Sequence, residues 1–230
     1  LTALLNEYLT AMSDIIMEEG GTVDKYEGDA VIAFWNAPLD LPNHAVCAVR
    51  AALRCQAKLA ELRPVLKEKY GKDIFCRIGL NTGKVVIGNM GSHQRFNYTF
   101  LGDAGNLAAR LEGANKQFGT YMMISEFTRA KLGSEFACRE LSQLRVKGKN
   151  KPVGVFEPML KEEYESRREV LDGFGAALKA YYDGRFKEAL EGFSSIEDRD
   201  APASSYVKRC RELVAHPPAE WDGVWELTEK

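Results

Sequence analysis

The 230 residues contain no closely spaced cysteine pair, few histidines and no long apolar run, and each shortage removes a class of protein. The five cysteines (Cys47, Cys55, Cys76, Cys138 and Cys210) are odd in number and scattered. This argues against a disulfide framework or a cysteine zinc site and points to a reducing, cytoplasmic compartment. Three histidines (His44, His93 and His216) argue against a metal site built from histidine alone. The longest apolar runs are as short as Ala30 to Trp35, far below the ~18 residues of a membrane crossing. Charge of one sign is also lacking. Lys+Arg 31 against Asp+Glu 33 leaves a net charge of -2, with no basic field to grip a nucleic acid. What remains is an ordinary globular balance, 45% apolar and 28% charged, long enough for one domain plus an appendage at ~150 residues per domain.

A helix cap is missing too. Leu1, Leu4, Leu5, Tyr8, Leu9, Met12, Ile15 and Ile16 repeat at helical spacing, yet no Ser, Thr, Asp or Asn precedes them. The expectation is a chain that begins inside a domain. Gly20-Gly21 ends that helix. Thr22 to Tyr26 reads as a strand, Glu27-Gly28-Asp29 as a tight turn, and Ala30 to Trp35 as a returning strand. Asn43 is placed to cap a long helix that Gly71 ends. Ile74 to Leu80 and Lys84 to Gly88 read as a hairpin around Asn81-Thr82-Gly83, followed by an exposed arm over Asn89 to Tyr98. A helix over Asp103 to Phe118 and strands near Phe136 to Arg145 and Val153 to Pro158 complete an α+β pattern: an antiparallel-type sheet covered by helices. Composition changes near Lys161. Residues 161–230 read as a helical, strandless extension carrying one tetratricopeptide-like unit of ~34 residues around Phe174 to Phe193. A lone unit of this kind cannot bury its own face, so it is expected to dock on the main domain or on a second subunit.

Three clusters could do chemistry. Asp29, at a turn between two buried strands, is placed to hold a hard divalent cation, although a bare Gly-Asp is more often a plain turn. Lys25 projects from the same hairpin. Asn106 and Arg110, four apart on one helix face, offer an amide and a forked guanidinium to a phosphoryl oxyanion, against the bland alternative of a solvated arginine. Lys147-Gly-Lys-Asn-Lys151 is a basic turn that could meet polyphosphate or simply face water.

Taken together, the clusters are specific. Gly21-Thr-Val-Asp-Lys-Tyr-Glu-Gly-Asp29-Ala, Arg77-Ile-Gly-Leu-Asn-Thr-Gly83, Tyr98-Thr-x-x-Gly-Asp-x-x-Asn-x-Ala-Ala-Arg110-Leu-Glu and Val146-Lys-Gly-Lys149 resemble, in order and spacing, the catalytic domain of class III nucleotidyl cyclases. The resemblance covers Leu4 to Met159 and implies a ferredoxin-like cyclase core over residues 1–160. It implies that Asp29 is the second of two metal-binding aspartates and that Lys25 and Thr99 read the purine. It implies that Asn106 orients the ribose, that Arg110 stabilises the transition state, and that Lys147 contacts the triphosphate, with Lys84 a further candidate. Arg77 is left open to a structural role. Guanylate cyclases of the family carry Glu and Cys where this chain has Lys25 and Thr99, so the implied reaction is ATP to 3′,5′-cyclic AMP and pyrophosphate. The implied cofactors are two Mg²⁺ or Mn²⁺ ions per site, at a homodimer interface, with an upstream sensor domain as a further partner.

One departure is large. The family's first metal aspartate belongs to a strand ahead of the first helix, and this sequence starts just after that place. Asp14 belongs to a helix pattern, and simple alternation puts Asp24 on the strand face opposite Lys25, so neither substitutes. The expectation is negligible activity from residues 1–230 alone. The competing reading is a catalytically incompetent regulatory module that binds a nucleotide or a partner. A diguanylate cyclase is rejected because the turn is Glu27-Gly28-Asp29 rather than Gly-Gly-Asp/Glu-Glu-Phe.

Overall fold

The computed structural model describes residues 1–145 and 151–227. The chain begins with helix α1 (Thr2–Glu18), hairpin strands β1 (Thr22–Glu27) and β2 (Ala30–Phe34), and a long helix α2 (His44–Tyr70). Next come β3 (Ile78–Leu80), β4 (Val86–Gly91), β5 (Phe96–Leu101), α3 (Asp103–Phe118), β6 (Met122–Ser125) and the single turn α4 (Glu126–Arg129). Strands β7 (Ala137–Arg145) and β8 (Val153–Met159) lead to α5 (Lys161–Ser166), α6 (Arg168–Tyr182), α7 (Phe186–Ser194), α8 (Ala201–Ala215) and the two-residue β9 (Trp225–Glu226).

The α+β expectation holds. A five-stranded sheet runs β3-β6-β8-β7-β9, and two separate hairpins, β1-β2 and β4-β5, stand apart from it. Side chains on a strand alternate between faces, and β6 shows what that achieves. Met122 and Ile124 pack with Ala45, Val46 and Val49 of α2, whereas Met123 packs with Leu107 and Leu111 of α3. On the outer side of α2, Ala51, Cys55 and Leu59 meet Tyr8, Met12, Ile15 and Ile16 of α1, and Val23, Val31 and Ala33 of the first hairpin close over that cluster.

Helix α3 lies unusually close to the sheet. A Cβ on Gly79 of β3 would sit 2.2 Å from the Ala108 carbonyl oxygen and 2.3 Å from the Glu112 amide nitrogen. Only glycine permits that approach, and it fixes the helix carrying Asn106 and Arg110 against the strand.

The structure corrects three expectations. Asn81-Thr82-Gly83 is not a hairpin turn: β3 pairs in parallel with β6, and β4 pairs with β5. The Asn81 side chain instead donates to the Ala104 carbonyl and accepts from Ser125 Oγ, so the turn residues tie β3 and β6 to the start of α3. The exposed arm expected over Asn89 to Tyr98 is the outer part of this second hairpin, exposed from Gly91 to Tyr98. Asn43 does stand at the N-cap of α2, but its side chain makes no capping bond. The extension is not strandless, because β9 pairs with β7 at Leu144↔Trp225.

The helical extension does dock. Phe174, Tyr181, Phe193, Tyr206 and Val207 of α6 to α8 share one apolar cluster with Leu107, Leu111 and Phe118 of α3 and Leu141 and Val155 of the sheet. A buried ion network crosses the same seam. Arg139 of β7 reaches Asp200 Oδ1 and Glu157 Oε2 at 2.7 Å each, and Asp200 also caps α8 by accepting from the Ala203 amide at 3.2 Å. Burial pushes the Glu157 carboxyl up, against the pull of Arg139.

Candidate active site

Strand β1 has six residues against five in β2, and the surplus residue is Asp24. The ladder pairs Val23 with Ala33 and then Lys25 with Ile32, so Asp24 is bulged out of register. A bulge breaks strict alternation, and the placement of Asp24 opposite Lys25 is therefore overturned. Lys25 Nζ lies 3.6 Å from Asp24 Oδ2. Thr99 Oγ1, arriving from β5, donates to the same oxygen at 2.8 Å. The two residues implied as purine readers thus converge, although 74 positions separate them in the chain, because one carboxylate gathers both. Aromatic packing makes the convergence possible. Phe34 of β2 meets Tyr98 and Phe100 of β5 with ring centroids 6.0 and 5.7 Å apart, which leans the second hairpin on the first. Phe100 continues onto α3, where a Cβ on Gly105 would lie 2.2 Å from its ring. Glycine at 105 therefore lets the β5 ring reach the helix that bears Asn106 and Arg110.

Asp24 is the residue that sequence reasoning missed. Its side chain is only 2% exposed, and its Oδ1 has no hydrogen-bond partner among the described residues.

Asp29 is exposed at the tip of the β1-β2 turn, just after Gly28 at φ 66°, and makes no ion pair or hydrogen bond among the described residues. No group of three metal-ligating side chains forms among them. An exposed carboxylate without a partner fits an ion that arrives with a nucleotide, since Mg²⁺ is commonly held by one or two carboxylates, phosphate oxygens and water. On α3, Asn106 is exposed and Arg110 half-buried, and no ion pair engages Arg110 among the described residues. Lys84 is exposed in the loop before β4, its carbonyl beside Gly102 at the start of α3. Lys147 and the rest of the Val146 to Lys149 block lie outside the described residues. Arg77 takes the structural role left open for it, pairing with Glu112 at 3.4 Å.

Cysteine chemistry is disfavoured. Burial pushes the Cys55 and Cys210 thiols up to about 12 and Cys138 up to about 11, leaving little thiolate at neutral pH. A groove of ≈ 810 Å³ opens between α1 and α2 beside Asp14, Arg54 and Lys58. None of the candidate residues lines it.

Residues 1–157 match the family described as the adenylate and guanylate cyclase catalytic domain. The chain is 32% identical over 157 residues to adenylate cyclase 1 of Rhizobium meliloti (strain 1021), an alignment covering 68% of this chain and 24% of that protein. It spans, in other words, about a quarter of that relative's length. Among solved structures, the adenylyl cyclase CyaB from P. aeruginosa superposes with a TM-score of 0.63 at 33% identity, over 69% of this chain and 82% of that one. The guanylyl cyclase Cya2 superposes almost as well, with a TM-score of 0.62 at 29% identity, over 71% and 82%. No helix among the described residues is long and apolar enough to cross a membrane. With a family match over more than half its length, and with the fold of those catalytic domains, the chain belongs to the adenylate and guanylate cyclase catalytic domain family.

Proposed function

We propose that this chain is an adenylate cyclase that closes ATP to 3′,5′-cyclic AMP and pyrophosphate at a site shared between two copies. The observation that carries the reading is the meeting of Lys25 and Thr99 on Asp24. A lysine ammonium donates to a purine ring nitrogen, and a threonine hydroxyl can accept from an exocyclic amine, a pairing that suits adenine.

In the proposed reaction the ribose 3′-hydroxyl attacks the α-phosphorus. The new oxygen–phosphorus bond forms as the bond to the bridging α–β oxygen breaks. Pyrophosphate leaves, and the hydroxyl proton passes to solvent. Asn106 orients the ribose, Arg110 bears on the charge that builds at the α-phosphoryl oxygens, and Lys147 and Lys84 hold the triphosphate. Asp29 would hold divalent metal, which when bound neutralises phosphate charge and acidifies the attacking hydroxyl. The proposed arrangement takes Asp29 from one copy and Asn106, Arg110 and Lys147 from the other. Exposed Tyr26, Val86, Tyr98 and Leu101 on β1, β4 and β5 offer apolar surface for such a partner. Against the incompetent-module alternative, a decayed site would have lost members, whereas Lys25, Asp29, Thr99, Asn106 and Arg110 are all present and exposed or half-buried rather than sealed in the core.

The test is a competition assay. The natural full-length chain, supplied with equal ATP and GTP and Mg²⁺ or Mn²⁺, is expected to yield cyclic AMP over cyclic GMP by about tenfold or more, the worth of one matched hydrogen-bond pair. A preference for GTP overturns the assignment.

A further inference from the structure

The structure assigns Asp24 a role in base selection: we infer that its carboxylate fixes the direction of the Thr99 hydroxyl, making Thr99 an obligate acceptor towards the 6-position of the purine. The inference rests on the adenylate reading above and deepens it.

A threonine hydroxyl has one proton and two lone pairs, so by itself it can donate or accept. Facing adenine it must accept from the 6-amino group; facing a 6-oxo purine it would donate to the carbonyl. Thr99 alone therefore reads neither base. An ionised carboxylate removes the ambiguity because it can only accept. With Thr99 Oγ1 2.8 Å from Asp24 Oδ2, the single proton is committed to Asp24, and only lone pairs face the ligand. A 6-amino group finds an acceptor there, and a 6-oxo group meets lone pair against lone pair. Lys25 Nζ, 3.6 Å from the same oxygen, compensates the buried negative charge while half its own side chain remains accessible to solvent.

Two further observations separate this role from simple bracing of the hairpins. Asp24 occupies the bulge of β1, the one register position whose side chain is released from the alternating pattern. Its Oδ1 is buried with no partner among the described residues, a defect that destabilises a fold unless something else requires it. A residue retained only to tie two strands together would satisfy both oxygens or be apolar. Asp24 is therefore a positioning residue that acts through Thr99.

The experiment compares three triphosphates on the full-length chain: ATP (6-amino), inosine triphosphate (6-oxo) and purine riboside triphosphate (no 6-substituent). Asp24→Asn is the main variant, because an amide can donate to Thr99 as well as accept from it and so restores the ambiguity. The expected result is a fall of about tenfold in the ATP-over-inosine ratio of kcat/KM, while purine riboside triphosphate changes less than about threefold. In a Thr99→Val background, Asp24→Asn should leave the ratio unchanged, since the group it acts through is gone. If Asp24→Asn does not fold, as judged by circular dichroism, Asp24→Ser (a small donor and acceptor) takes its place with the same expectation. An equal loss on all three substrates, with the ratio intact, would reduce Asp24 to a structural brace and overturn the inference. A wild-type chain that prefers the 6-oxo substrate would instead overturn the adenylate reading itself, a separate and distinguishable outcome.

Discussion

At the scale of single residues, Arg110 and Arg77 differ in whether a carboxylate holds the guanidinium. Arg77 is spoken for by Glu112, an exposed pair worth at most about 1 kcal/mol. Arg110 has no such pair among the described residues, and its fork is free to meet two phosphoryl oxygens. Arg110→Ala should therefore lower kcat by about 10²–10³, the cost of removing one oxyanion donor. Arg110→Lys should recover little, because a point charge does not reproduce the fork. Recovery of near-normal kcat by the lysine variant would show that only charge matters there. Most of the candidate site was named from the sequence, because the blocks that hold Lys25, Asp29, Thr99, Asn106 and Arg110 resemble those of the cyclase family in order and spacing. Asp24 was lost for a physical reason. Period-two alternation assumes an unbroken ladder, and a bulge is a property of two strands together, invisible in either one alone.

At the scale of elements, α3 was legible to the residue: its apolar spacing ran from Asp103 to Phe118, as observed. The strands around it were not. Asn81-Thr82-Gly83 has the composition of a turn, but the partner of β3 is β6, more than 40 residues on, and local turn chemistry cannot report a parallel pairing. Four-residue β6 escaped notice because a short apolar run has no distinguishing period. The clamp between β7 and α8 is likewise a product of tertiary contact. Arg139, 4% exposed, serves Asp200, which is fully buried, and Glu157. Arg139→Met would leave Glu157 without its ion-pair partner in the interior and Asp200 with only the more distant Arg167, 3.3 Å away, a loss of about 3–5 kcal/mol, visible as a lowered midpoint of thermal or urea unfolding. Breaking the exposed Arg168–Glu165 pair should barely move the same midpoint, because solvent screens it. Equal effects from the two substitutions would mean that the clamp contributes nothing beyond a surface contact.

At the scale of the whole molecule, the helical extension and the catalytic sheet share one apolar core. The unit expected to need a neighbour finds it in α3 and in the sheet face that α2 does not cover. This leaves β1, β4 and β5, with their exposed apolar side chains, as the surface beside the candidate site that a second copy would cover. The account as a whole predicts that neither copy alone holds a complete site, and one measurement addresses this directly: cyclic AMP formation by mixed full-length variants. Asp29→Ala and Arg110→Ala should each be near background. Mixed in equal amounts and allowed to exchange subunits, half the dimers are heterodimers with one of two sites intact, so about a quarter of wild-type activity should return, given the near-complete loss expected of each variant alone. If native mass spectrometry shows the heterodimers and no activity returns, the shared site, and with it the assignment of Asp29 and Arg110 to opposite sides of one nucleotide, is contradicted.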